Sequence, residues 1–307
     1  MVFNLYKKRD FGAYMSDSIE FFKKFWKNYL INYITLNGAL VIVLLLIYYF
    51  LFKDFFEQIL SNPNSTPSLF LDENIGVSVT LLVVGVLISI IFTLITVAYP
   101  IAYFRLVEKT DKETFTASEI LNEIKEDAIR IIVFGLLSIF TFIPIITIFF
   151  VVSTLLIFLL VGIPLLILGM GAAITWMNQA LYVYLNEKVG FIDAMKAGWK
   201  ILFSKFWHIA GASTAMIFIT STLAGIVSYI PYFIGLGKMI TSSGSGEPNV
   251  QEFMPWMIAT FVLSFVFNYI LRNFIYINQG LIYYSSKEES ENYQAISEIE
   301  TIGKNEI

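Results

Sequence analysis

Apolar residues in this 307-residue chain gather into long unbroken runs, near Leu30 to Phe52, Val77 to Phe104, Ile131 to Leu185, Ile209 to Ile234 and Met254 to Tyr284. A hydrocarbon layer roughly 30 Å thick takes about 20 apolar residues in a helix. The third run has 55 residues without a charge, enough for two spans, so the pattern predicts six transmembrane helices. Its turn is placed between Ser153 and Pro164, where Ser153, Thr154, Gly162 and Pro164 all interrupt helices. A tight apolar tip buried among other helices would keep its backbone groups satisfied.

Three amphipathic stretches precede the pairs of spans. In the first, Phe11, Met15, Ile19, Phe22, Trp26 and Tyr29 fall at helical spacing, with Asp17, Glu20, Lys23, Lys24 and Lys27 on the other side. The second sets Ala117, Ile120, Leu121, Ile124 and Ala128 on one face, and Thr116 with Glu119 reads as a capping box. In the third, Ile192, Met195, Trp199, Leu202 and Phe206 oppose Asp193, Lys196, Lys200 and Ser204. Such helices lie in the headgroup plane with their cations near anionic lipid. They serve either as elbows anchoring each hairpin or as a lipid-sensing or membrane-remodelling device; Lys23, Lys24, Trp26, Lys196, Lys200, Trp199 and Trp207 are the candidate interfacial anchors.

A second internal match lies at the ends of the fourth and sixth spans, where Asn178-Gln179-Ala180-Leu181-Tyr182-Val183-Tyr184 corresponds to Asn278-Gln279-Gly280-Leu281-Ile282-Tyr283-Tyr284. The expected fold is all-α: three repeats, about 11–105, 115–186 and 190–285, each an elbow helix plus a transmembrane hairpin. Residues 1–285 form one polytopic domain and 286–307 a cytoplasmic tail. Parallel repeats of this kind arrange around an axis along the membrane normal.

Charge sets the orientation. Seventeen of the twenty Lys and Arg residues flank one side of the spans, while the other side holds Lys53 and Lys238. By the positive-inside rule both termini are cytoplasmic, and the localisation expected is a bacterial inner membrane. The amphipathic, charged first 29 residues lack a cleavage site and are read as retained. Composition agrees with a membrane class: 57% hydrophobic, 17% aromatic, 14% charged and mean hydropathy +0.72, against about 25% charged in soluble domains.

Arg272 is the one permanently charged side chain inside the apolar runs. Asn268, Arg272, Tyr276, Gln279 and Tyr283 recur on one stripe of the sixth span, and Thr175, Asn178, Tyr182 and Asn186 on one of the fourth, with Gln179 beside. Polar groups at membrane depth face the protein interior or a wet cavity. The two stripes are therefore expected to approach one another, making Asn178, Gln179, Tyr182, Asn268, Arg272, Tyr276, Asn278 and Gln279 a candidate polar cluster. It is either a cytoplasm-facing vestibule in which Arg272 attracts an anion such as a lipid phosphate, or interhelical hydrogen bonding beside a snorkelling arginine.

The chain has no cysteine and one histidine, His208, so thiolate chemistry, disulfides and histidine-rich metal sites find no residues. His208 reads as an interfacial residue or a proton switch. Pro100, Pro144, Pro164 and Pro231 read as kinks, plain or gating. In the tail, Tyr293, Ile296, Ile299 and Ile302 suggest an apolar edge that docks on a partner or on the protein itself. Net charge −4 and pI about 5.2 disfavour nucleic acid.

The elbow-plus-hairpin pattern resembles bacterial six-span proteins similar to the membrane domain that precedes some glycerophosphodiester phosphodiesterases. The likeness rests on the steps Phe25-Trp26 and Phe206-Trp207, on Asp193-Ala194-Met195 with Trp199, and on Tyr283-Tyr284-Ser285 followed by Glu289, Glu291-Asn292 and Ile302-Gly303. It implies the fold and a membrane location. The catalytic barrel of those enzymes has no counterpart here, and none of their functional residues maps onto this chain. The expectation is a non-catalytic accessory or structural subunit of a membrane assembly, without cofactor, partnered by anionic lipid headgroups and by a membrane protein or further copies of itself. The alternative is a lipid-interacting or small-molecule transport protein with its vestibule near Arg272.

Overall fold

Backbone N–H and C=O groups find no water in hydrocarbon, so apolar runs of this length satisfy them by forming helices. The computed structural model describes residues 3–61, 75–110, 112–241 and 252–292, the side chains of 54–61 excepted; residues 62–74 and 242–251 and the tail from Tyr293 onward, with its expected apolar edge, fall outside the described residues. Eight α-helices and no strand occur among the described residues: α1 (Phe11–Ser61), α2 (Ile75–Lys109), α3 (Ala117–Glu126), α4 (Ala128–Leu155), α5 (Gly162–Asn186), α6 (Phe191–Ser204), α7 (Phe206–Thr241) and α8 (Met254–Glu291). Helices α1, α2, α4, α5, α7 and α8 are each long and apolar enough to cross a membrane.

The first amphipathic stretch and the first span form one unbroken 51-residue helix, α1. In contrast, α3 is separated from α4 at Asp127 (φ −105°, ψ 3°), and α6 from α7 at Lys205 (φ −143°, ψ 58°). The capping box at Thr116 is present, with the Glu119 N–H donating to Thr116 Oγ1 at 3.2 Å and the Thr116 N–H donating to Glu119 Oε2 at 2.7 Å. The first and third amphipathic stretches carry more apolar surface than one face. On α1, Tyr14, Ser18, Phe21, Phe25 and Tyr29 are the buried side, whereas Phe11, Ile19 and Trp26 are exposed. On α6, Ala194, Met195, Gly198 and Leu202 are buried while Ile192, Trp199 and Phe203 are exposed. One side packs on protein and the other is left for lipid. Tyr29, Met195 and Leu202 thus belong to the protein-facing side rather than the outer stripe.

The turn between α4 and α5 falls inside the expected window. A short 3₁₀ turn, Leu156–Leu159, is followed by Leu160 at φ 58°. Gly162 sits against the backbone of Ser153, Leu156 and Ile157, where a Cβ has no room. The tip is not buried: Phe158 is 89% and Leu160 78% exposed. Local hydrogen bonds from the Leu160 N–H to Ile157 O (2.8 Å) and from the Leu165 N–H to Val161 O (3.2 Å) satisfy the turn without neighbours, so an apolar tip can face outward. Pro164 is the third residue of α5, where its missing N–H has no helical partner to lose; Pro100, Pro144 and Pro231 are helix-interior.

The chain divides into two packing units. Unit 1 comprises Met1–Asn32, Val97–Ile219 and Arg272–Ile307; its core includes Tyr14, Leu202, Ile209, Ala210, Ala212 and Ile282, with Trp176 packed against them. Unit 2 comprises Tyr33–Thr96 and Thr220–Leu271. Within it Tyr269 stacks on Tyr33 (4.7 Å between centroids, 20° between planes), Tyr48 meets Phe261 and Phe265 edge-on, and Gly235 leaves room for Trp256. Large apolar side chains such as Phe140, Ile148, Phe218 and Phe233 point outward, as lipid-facing residues do. The chain is a multi-pass helical membrane protein.

Candidate functional site

Unit 1 contains the polar residues that the repeat singled out. Gly198 lies on the backbone of Ala180, so α6 seats directly on α5, and Gly280 lies on the ring of Phe104 at the end of α2. These close approaches bury Asn178 to Leu185 and Ile277 to Ser285. There Gln179 Nε2 donates to the backbone oxygen of Gln279 (2.9 Å) and to its Oε1 (3.1 Å). Gln279 Nε2 in turn donates to Ser213 Oγ (2.8 Å), which also accepts from Thr175 Oγ1 (2.7 Å). All four side chains are fully buried. The result is a buried polar zip across α5, α7 and α8.

The asparagines beside them do other work. Asn178 Nδ2 donates to Ile174 O of its own helix (2.7 Å), while Asn278 Nδ2 donates to Tyr14 O (3.3 Å) and Ser18 Oγ (3.2 Å) of α1. Tyr182 stacks on Tyr283 at 5.2 Å. Tyr276 is half-buried. Arg272 and Asn268 are exposed; Asn268 Nδ2 returns to Ser264 O (2.8 Å). Gln179, Gln279, Asn278 and Tyr182 therefore lie in the interior of unit 1, and Arg272 is not among them. At 100° per residue Asn268 and Arg272 lie within about 20° of Gln279 around α8, but two to three turns away along the helix that side is exposed.

Charged residues near the helix ends form a second layer that sequence reasoning missed. Arg9, 1% exposed, donates from Nε to Asp17 Oδ2 (2.9 Å) and from its guanidinium nitrogens to Leu5 O (2.7 Å) and Asn4 O (2.8 Å). Burial pushes its pKa down, against the pull of Asp17. Arg105 donates to Asn186 Oδ1 (2.6 Å) and Asp127 Oδ2 (2.5 Å), and Lys188 also reaches Asp127. Burial alone would raise the Asp127 carboxyl, but the bonds from Lys188 and Arg105 outweigh it and hold the group below the usual carboxylate range. Arg130 lies 4.1 Å over the Tyr184 ring and donates to Tyr184 O and Val189 O (both 2.7 Å). Glu108 accepts from Tyr284 (2.8 Å) and from Tyr6. The only sequence signal was position: Arg105 and Arg130 abut apolar runs as any loop charge does, and Arg9 and Asp17 lie at the start of and within the first amphipathic stretch.

On the outer side of unit 1, α4, α5, α6 and the start of α7 enclose a groove of about 460 Å³, lined by Phe149, Leu165, Ala173, Trp176, Trp199 and Trp207 with other apolar residues. Of the expected anchors, Trp26, Trp199 and Trp207 are exposed, as are Lys23, Lys196 and Lys200. Lys24 is half-buried and pairs with Glu113 at 2.9 Å, which lowers the Glu113 carboxyl pKa. His208 is exposed. Among the described residues no group of three His, Asp or Glu side chains is placed to hold a metal.

Fold and interior thus define a helical membrane protein whose polar groups bond to one another and to backbone oxygens. No protein family, curated protein or solved structure matches this chain.

Proposed function

We propose that this protein is a non-catalytic accessory or structural subunit of a membrane assembly in the bacterial cytoplasmic membrane, with both termini in the cytoplasm. The observation that carries the reading is the tying of the helices of unit 1 into one block by buried polar side chains. The glutamine zip joins α5, α7 and α8. Asp127 links the end of α2 to the α3–α4 junction and to the α5–α6 loop, while Ser285 accepts from the Arg9 N–H (3.0 Å). Such a block suits a part that holds partners in register more than one that opens for cargo. The concentration of Lys and Arg near this block supports the orientation. The order of α3 before α4 and α5, and of α6 before α7 and α8, supports three repeats of elbow helix plus hairpin, with the N-terminal part of α1 as the first elbow.

The test is isolation from native membranes in mild detergent through a C-terminal tag, with quantitative mass spectrometry. A protein partner at fixed stoichiometry is expected. Recovery of the chain alone, in single copies, would refute the subunit reading.

A further inference from the structure

The outer groove of unit 1 is graded along its length. Pro164 and Trp176 both line it, twelve residues apart on α5, so it runs about 18 Å. Its walls are hydrocarbon and aromatic throughout, and Gly169, Ala172 and Ala173 keep it open; a side chain at Gly169 would run into the Phe149 ring. One end is closed by a ladder of rings, Phe142 on Trp176 (4.9 Å), Trp176 on Trp199 (5.1 Å) and Trp199 on Phe203 (4.3 Å). The Trp176 indole donates to Met195 O (2.9 Å), so it presents only carbon to the groove. Trp199 and Trp207 are exposed there, as indoles at headgroup level are.

On α6, beside this girdle, stand Lys196 and Lys200; neither lines the groove itself, and Lys200 lines a second, polar cavity with Glu187, Lys287, Glu289 and Glu291. Helical spacing puts Lys196 beside Phe203 and Trp199, with Lys200 next round the helix. Among the described residues Lys196 pairs only with the solvent-exposed Asp193, at 3.9 Å, a pair worth little. Lys200 has no ion pair among the described residues, and the nearby carboxylates are already taken, Glu289 by Lys205 and both Glu187 and Glu291 by Lys287. An apolar slot, an indole girdle and two ammonium groups follow in the order of acyl chain, glycerol ester and phosphate.

From this order we infer that the groove is a binding site for one anionic phospholipid, an acyl chain lying along α5 and the phosphate held by Lys196 and Lys200. Its size falls in the range of small-molecule sites, about 300–1,000 Å³. A lysine near an anionic surface contributes enough that two of them favour an anionic over a zwitterionic headgroup by about tenfold or more. The inference is independent of the subunit reading, since a lone protein could hold such a lipid.

The test is native mass spectrometry of the full chain titrated with phosphatidylglycerol and, separately, phosphatidylcholine of the same acyl chains. One phosphatidylglycerol per chain, retained about tenfold better than phosphatidylcholine, is expected. Lys196→Gln with Lys200→Gln should erase that preference, whereas Lys23→Gln, off the groove, should leave it. Ala173→Trp should remove both lipids while the melting temperature holds. Equal retention of the two lipids, or unchanged phosphatidylglycerol on folded Ala173→Trp, would overturn the inference. So would a dimer that Ala173→Trp turns into monomer, which would mean a second copy fills the groove. Should Ala173→Trp fail to fold, phosphatidylglycerol with a mid-chain diazirine decides on the unaltered protein: crosslinks confined to 142–149 and 164–176 support the site, and crosslinks spread over all helices refute it.

Discussion

Replacing Gln279 by leucine tests whether the zip, rather than general apolar packing, ties α5 to α7 and α8. The change keeps most of the volume and removes the donor to Ser213 (2.8 Å) together with the Oε1 acceptor of Gln179 (3.1 Å). Gln179 Nε2 keeps the Gln279 backbone oxygen, and Ser213 keeps Thr175, so the loss is partial. A buried polar group left unpaired costs about 1–3 kcal/mol, and we expect about 2 kcal/mol. Gln179→Leu orphans Gln279 Oε1 and should cost about 1–2 kcal/mol by the same reasoning. Removing both ends at once leaves fewer orphans, so the double variant should be more stable than the sum predicts by about 1 kcal/mol. That lies above the average of about 0.6 kcal/mol for interhelical bonds in membranes, because here four fully buried groups share one network. The assay is reversible unfolding in mixed micelles, with the companion cycle Asn178→Ala and Asn278→Ala as reference. Those two asparagines bond to different partners, so their cycle should be additive within about 0.5 kcal/mol. A coupling of the glutamines no larger than that of the asparagines would refute the zip.

Three further outcomes follow from the packing and charge. Asp127→Asn breaks a buried pair, which costs about 3–5 kcal/mol; with Lys188 half exposed we expect the lower end, read as a loss of unfolding free energy at pH 7. Because Asp127 titrates lower folded than unfolded, its contribution is complete above the unfolded value near 4 and disappears as pH falls through the folded one. The wild type should therefore lose stability on acidification more steeply than Asp127→Asn. Gly280→Ala should cost about 1–3 kcal/mol by overpacking against Phe104, while Gly76→Ala, with open space around it, should be neutral or slightly stabilising by helix propensity. Arg272→Ala, on the exposed side of α8, should leave melting within the range of surface changes, about 0.5 kcal/mol.

The six spans were legible because run length is a one-dimensional property, and the capping box at Thr116 because its partner is three residues away. Facing direction was not. In water an amphipathic helix has one apolar side, whereas α1 and α6 have one for protein and one for lipid, so the stripe Phe11, Ile19 and Trp26 read as clearly as the buried Tyr14, Phe21 and Phe25. The buried charges were hidden for a different reason. Arg9 is satisfied by three backbone oxygens and Asp17, and nothing in its composition distinguishes it from the exposed Lys8 beside it.

The match between Asn178-Gln179 and Asn278-Gln279 carries the same lesson to the repeat itself. Equal sequence at two places predicts equal local structure but not equal partners, since each helix end meets different neighbours. The glutamines point inward at the crossing and can meet; the asparagines, one residue earlier, are rotated by about 100° and face Ile174 in one case and Tyr14 with Ser18 in the other. An internal pair therefore identifies which helices approach each other, while the bond is made by whichever member the helical rotation brings to the shared face. For Arg272 rotation is not the reason. Seven residues before Gln279 it lies on nearly the same side by heptad count, yet at that turn the buried side is that of the neighbouring Asn273, which accepts from Tyr29 at 3.1 Å, and an arginine that the sequence offers as the centre of a site ends on the outside.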